Sequence, residues 1–331
     1  MKTLIYYILF SAAIVFAANA AEQAFSSRPD PSAGANLAKG AHAMQAANHA
    51  SAAVRPIMIP AAGKWVSTDT CAICHEDQVS SFKSTTHAHM WKQDQACEQC
   101  HGDVTHHLET GGAPGTIQTM KNRSANEVSA TCLNCHERPG EQAHSKLSEH
   151  FRAGVGCTSC HELHPTKEHQ AELHAIGKTA MLKGKQSELC LSCHSTVNAD
   201  FNKPTHHRMK EGILDCTSCH NPHGSDYDHQ LRADTKTLCV TCHQDKRGPF
   251  VFEHNAQAID GCMACHDSHG SASRNMLKDR DPRTLCISCH SKEIGVGVPH
   301  SRGNFSLQTS GDCTRCHAQI HGSNRSECFI N

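Results

Sequence analysis

The sequence predicts a mostly irregular, α-containing fold: short helices and loops, little or no β structure, and five two-motif repeats extending lengthwise. Three observations carry this expectation. Ten copies of Cys-x-x-Cys-His recur through the chain. Large apolar side chains are scarce, with aromatics only 5% of 331 residues. The segments between motifs are rich in Gly, Pro and Ser and show none of the alternation that marks a strand.

The ten motifs are Cys71, Cys74 and His75; Cys97, Cys100 and His101; Cys132, Cys135 and His136; Cys157, Cys160 and His161; and Cys190, Cys193 and His194. They continue with Cys216, Cys219 and His220; Cys239, Cys242 and His243; Cys262, Cys265 and His266; Cys286, Cys289 and His290; and Cys313, Cys316 and His317. Each is the attachment signature of haem c, in which two thiols add to the vinyl groups and the adjoining His ligates iron. Zinc requires closed sets of four ligands and gives no reason for a His after every pair. A thioredoxin-like dithiol occurs once per domain beside a βαβ pattern, and no such pattern is present. The motifs use 20 of the 21 cysteines, leaving Cys328, which reads as a free thiol near the terminus.

Composition supports the same reading. The hydrophobic fraction of 38% includes the cysteines, so few side chains remain to build a core. Haem macrocycles, with broad apolar faces, would take that place. The formal charge of −1 omits haem propionates, and no basic run suggests nucleic acid. Residues 1–20 read as a secretory signal peptide, with Lys2, an apolar stretch over 4–16 and the small-residue site Ala18-Asn19-Ala20. The apolar stretch is short for a membrane span, which needs about 20 residues. Export places the product in the periplasm. Residues 21–66, rich in Ala, Pro, Ser and Asn, read as a flexible leader; His42 and His49 in it read as solvent-exposed.

The repeats are clearest late in the chain. Asp215 to Ser225 matches Gly261 to Ser271, and both resemble Asp312 to Ser323, each closing on His-Gly-Ser. Thr237 to His243 likewise matches Thr284 to His290. The unit therefore contains two motifs, and units add as in a solenoid.

Removing ten motif histidines from 29 leaves 19. Ten of these follow the repeat and are the candidate second axial ligands, giving ten bis-His irons. His87, His150, His207, His254 and His300 lie 10 to 14 residues beyond the first motif of each pair. His107, His164, His223, His269 and His321 lie three to six residues beyond the second. Three extended residues span at most about 11 Å, less than the separation of two axial histidines across one haem. His164, His223 and His269 must therefore serve a neighbouring haem, while His107 and His321 are not excluded from their own. The doublets are read as His107 over His106 and His207 over His206. His89, His144, His169, His174 and His229 read as surface residues. Nine Met residues offer another ligand type, but none recurs with the repeat.

The ten motifs, the Cys-His-Asn-Pro-His-Gly-Ser segment at 219–225, Lys-Arg-Gly-Pro at 246–249 followed by Glu253 and His254, and the closing His321-Gly322-Ser323 resemble the periplasmic decahaem cytochromes of the MtrA/DmsE/PioA type. The resemblance covers residues 70–323. It implies two pentahaem halves in series, 67–204 and 205–331, with the ten repeat-linked histidines as distal ligands. It also implies an electron conduit held inside an outer-membrane β-barrel porin. Its exchange partners would be periplasmic electron-transfer proteins on one side and an extracellular multihaem cytochrome, metal ions or a mineral on the other. A soluble periplasmic electron store without a porin is the nearest alternative. A multihaem enzyme is the other, but it would need an open sixth position, and here all ten motifs end in His with a distal His available for each.

Overall fold

The structure is a computed structural model, and it describes residues 65–93, 96–137, 142, 144–169, 171, 181–290 and 312–330. All of them belong to one compact unit, Arg55–Asn331. The signal-peptide reading, nearly all of the leader with His42 and His49, and also His174 and His300 lie outside the described residues.

Short helices dominate, and most motifs ride on one. Thr68–Ala72, Glu98–His101, Ala125–His136, Cys157–Cys160, Gln186–Cys193, Thr235–Val240 and Pro282–His290 each carry cysteines of a motif. Cys216–Ser218, Cys262–Ala264 and Cys313–Arg315 are single 3₁₀ turns. A Cys-x-x-Cys-His turn suits this geometry, because helical rise brings residues three and four apart onto one face. The first cysteine's carbonyl accepts the backbone N–H of the motif His at all five second-of-pair motifs, at 2.9 to 3.1 Å.

The longest helix among the described residues, Ala125–His136, starts at a full capping box. Ser124 Oγ accepts from Glu127 N, and the Glu127 carboxylate accepts from Ser124 N. This satisfies two of the orphaned N–H groups at the helix start. The helix packs on Cys157–Cys160 where Gly156 leaves no side chain: a Cβ there would stand 2.8 Å from the Ala125 carbonyl. Buried Ser129 seals this contact by accepting from Cys157 N.

Among the described residues the apolar core is thin: Val79, Phe82, Ala96, Val104, Val128, Leu133, Phe201, Met209 and Val240. At about 25 cal/mol per Å² of buried apolar area, so few side chains leave the chain short of what ordering its backbone costs. The protein part alone does not account for its own stability.

Among the described residues the β-strands are β1 (Thr205–His206) and β2 (Gly270–Ser271), which pair antiparallel with Thr205 opposite Ser271 and His206 opposite Gly270. A single bridge between Phe252 and Ser323 repeats the arrangement one unit later. Both join the chain just before one repeat-linked His to the chain just after another. They also explain the recurring His-Gly-Ser. A Cβ on Gly270 would lie 2.1 Å from the Asp200 carbonyl, and one on Gly224 would lie 2.5 Å from the His144 carbonyl. At Gly224 and Gly270 glycine stands after the His because backbone from an earlier repeat crosses there, and at Gly322 the Phe250 ring takes the space.

Candidate functional site: a row of paired histidines

Every motif His whose partner is described faces one other histidine. Ring centroids are 6.1 Å apart for His75 and His107, 5.9 Å for His87 and His136, and 6.4 Å for His101 and His164. They are 6.0 Å apart for His150 and His194, 6.1 Å for His161 and His223, and 6.3 Å for His207 and His243. The spacing is 6.1 Å again for His220 with His269, His254 with His290, and His266 with His321. His317 belongs with none of these nine, and His300 lies outside the described residues.

The constancy of these distances is informative because the angles are not constant. The planes meet at anything from 13° to 83°. Ring-on-ring packing would tie distance to angle. A metal between two imidazoles fixes distance and leaves rotation about the N–metal–N axis free. With each nitrogen about 2 Å from the metal, opposite rings stand roughly 6 Å apart. The residues thus fit a six-coordinate haem iron between each pair.

Hydrogen bonds orient the rings for this task. The Nδ1–H of His101, His220, His266 and His317 donates to the carbonyl of Gln118, His229, Asn275 and Cys328 respectively. Among the partner histidines, His150 donates to Pro222 O, His164 to Gln78 O and His207 to Ser268 O. His107 Nδ1 meets Thr116 Oγ1, whose own proton goes to Ala113 O. Committing Nδ1–H to an acceptor leaves Nε2 bare for a metal. Burial, with the facing or neighbouring His adding to it, holds His87, His223, His254 and His269 below the ordinary imidazole range. His321 falls to about 4, through burial first and Lys246 second. The shift favours the neutral form in all five, and that is the form that can ligate.

The doublets separate on the same grounds. His107 faces His75, whereas His106 is exposed beside Glu109. His207 faces His243, whereas His206 uses Nδ1 on Lys203 O and Nε2 on Glu211, leaving neither nitrogen bare. His107 and His321, whose tethers left the matter open, both face the motif His of another site. His169 is not a surface residue as expected: its ring is 14% exposed and pairs with Glu162 at 2.7 Å.

The cysteines arrange the sites in order. First cysteines meet within each sequence pair, with thiols in hydrogen-bonding reach: Cys71 with Cys97, Cys132 with Cys157, Cys190 with Cys216, Cys239 with Cys262, and Cys286 with Cys313. Second cysteines lie near one another between pairs, close enough to interact electrostatically: Cys100 with Cys135, Cys160 with Cys193, Cys219 with Cys242, and Cys265 with Cys289. The two approaches alternate from the first motif to the tenth. Cys190–Cys216 and His161–His223 both span the expected division at 204/205.

One repeated element escaped the sequence reading. After the fourth, sixth and eighth motifs the chain returns to pair with them. Leu182, Leu231 and Leu277 bridge to His161, His220 and His266. Lys183, Arg232 and Lys278 donate their backbone N–H to the carbonyls of Cys160, Cys219 and Cys265, each at 2.9 Å. The turn needs left-handed backbone at Met181, Gln230 and Met276. Cys328 and Phe329 occupy the matching places in the last unit, with Phe329 also at positive φ and Gln319 N donating to Phe329 O. Cys328, read from sequence as a free thiol, thus serves the site through its carbonyl, and its side chain is exposed. The signal was present in the sequence as a Leu followed by Lys or Arg at 182–183, 231–232 and 277–278.

A chain that threads ten haem-attachment motifs in contact order, with paired histidines along it, is a multihaem c-type cytochrome and works by electron transfer. The comparisons with known proteins agree. A doubled CXXCH motif model matches residues 206–248 and 254–295, and a model of NrfB-like c-type cytochromes matches 97–183. Multiheme cytochrome MtrA of Shewanella baltica (strain OS185) is 34% identical over 272 residues, covering 77% of this chain and 78% of that protein. Cytochrome c-type protein NrfB of Escherichia coli O6:H1 is 30% identical over 129 residues, covering 36% of this chain and 66% of that one. The chain belongs to the MtrA family of multihaem cytochromes.

Proposed function

We propose that the chain binds ten haems c, each iron held by two histidines, and carries electrons through the outer membrane inside a β-barrel porin. The observation that supports this best is the unbroken succession of cysteine contacts. A bound haem supplies one-electron exchange at iron, and haems whose attachment cysteines meet are held close enough to exchange electrons with one another. The chain's residues fix that order: first cysteines join the haems of one sequence pair, and second cysteines join each pair to the next.

The paired histidines interlock the row. His87, His150, His207 and His254 reach forward to the motif two places on, while His164, His223, His269 and His321 reach back to the motif two places before. His107 has no motif two places back and serves the first instead. The same end rule assigns His300 to the tenth site, with His317. The two halves, 67–204 and 205–331, share this one rule.

No helix among the described residues is long and apolar enough to cross a membrane. Polar loops facing lipid would cost several kcal/mol for each unsatisfied group, so the chain needs a polar-lined barrel to span a bilayer. Export through residues 1–20 places it in the periplasm. Its partners there are electron-transfer proteins, and beyond the barrel an extracellular cytochrome, metal ions or a mineral. Liposomes enclosing a redox dye test this. An external reductant should discharge the dye when cytochrome and barrel are both present, and leave it unchanged with the cytochrome alone. Equal transfer without the barrel contradicts the conduit.

A further inference from the structure

Charged residues fall on the two kinds of cysteine contact with opposite sign. Acids cap three of the motif helices beside first cysteines, Cys216–Ser218, Thr235–Val240 and Cys313–Arg315, while Ser, Gly and Lys185 cap others. Asp234 caps Thr235–Val240 by accepting from Thr237 N, on the helix that carries Cys239. Asp312 accepts from Thr314 N beside Cys313, and Asp215 directly precedes Cys216 with its N–H on Ser218 Oγ. Glu98, inside the second motif, is buried and accepts from Val66 N.

Cations stand where second cysteines meet, because the returning chain brings them. Lys183, Arg232 and Lys278 are held in register by their backbone bonds to Cys160, Cys219 and Cys265. Arg232 also places its guanidinium inside the sixth motif, with Nη1 3.0 Å from Thr217 O. A cation of the returning chain thus flanks the second cysteine of the fourth, sixth and eighth motifs.

We propose that Lys183, Arg232 and Lys278 are potential-setting residues that favour the reduced state of the haems whose second cysteines they flank. This rests on the haem reading of the motifs. Each ferric iron takes one electron to become ferrous and no bond is made or broken, so the only electrostatic change is one added negative charge. A fixed cation nearby stabilises it.

The test is a spectroelectrochemical titration of the holoprotein, the electrode supplying the electrons. In the Lys183→Gln, Arg232→Gln, Lys278→Gln triple variant, the affected haems should show a ferric-to-ferrous ratio about three- to tenfold higher at fixed applied potential. A tenfold change is a downward shift of about 59 mV for a one-electron couple. The charge-keeping variant Lys183→Arg, Arg232→Lys, Lys278→Arg should restore the parent curve, which a merely structural role would not require. Neutralising the exposed Lys146, paired with Glu137, should leave the curve in place. A triple-variant curve superimposed on the parent overturns the proposal, as does failure of the charge-keeping variant to restore it. Intact mass, read on the parent protein, reports haem content separately, so a parent without haem increments would count against the haem reading and not against the tuning.

Discussion

His207 donates its Nδ1–H to the carbonyl of Ser268 at 2.6 Å, directly beside the strand pairing that sets His206 opposite Gly270. The chain reaching forward to the seventh motif is thus bonded to the chain reaching back to the sixth. His150 with Pro222, and Phe252 with Ser323, repeat the relationship in the neighbouring units. Histidines that serve adjacent sites are therefore delivered as couples, each site depending on backbone from its neighbour.

The doublet offers a sharp contrast in phenotype. His207→Ala should leave one iron of ten without its second ligand, giving one high-spin haem and carbon monoxide binding in the reduced protein. His206→Ala should leave all irons low-spin, since that ring is occupied by Lys203 and Glu211. Electronic absorption and electron paramagnetic resonance check both.

Gly270→Ala should act at a distance from its own substitution. The new Cβ would meet the Asp200 carbonyl at 2.1 Å, so backbone must move in a place where backbone sets ligand position. Overpacking of this kind costs about 1–3 kcal/mol. A lowered thermal midpoint should appear together with partial high-spin character at the site of His220 and His269.

Mass spectrometry of the mature protein should show ten haem increments on a chain beginning at Ala21. Cys328→Ser should keep all ten, because only the carbonyl of Cys328 meets His317. A loss of one increment in that variant would show that its thiol takes part in attachment.

The apoprotein should be largely unfolded by far-ultraviolet circular dichroism and should lack a cooperative thermal transition. The reason is the small set of buried apolar side chains, too few to offset chain entropy. A cooperative transition in haem-free chain would mean that the polypeptide core suffices.

Ser124→Ala removes the cap of Ala125–His136, the helix that presents Cys132, Cys135 and His136. It should cost about 1 kcal/mol, measured as a fall in the denaturation midpoint with haem content unchanged.

The sequence by itself determined the chemistry: motif spacing defines covalent haem sites, and the repeat marks the histidines that accompany them. It also determined that the chain has little core and little β structure, because those follow from composition. Three-residue tethers showed that His164 could not serve its own motif, an argument of reach alone. Which motif it faces was decided only by the tertiary structure, since His164 stands opposite His101, 63 positions earlier in the chain. The turns that return Leu182, Leu231 and Leu277 to their motifs mark the sequence only as a Leu followed by Lys or Arg, because the backbone carbonyls that meet the motif histidines, such as those of His229 and Asn275, carry no side-chain signature. A spacing rule reads what neighbours along the chain can do; couples such as His207 with Ser268 arise from backbone crossing between repeats, which local residue types do not encode.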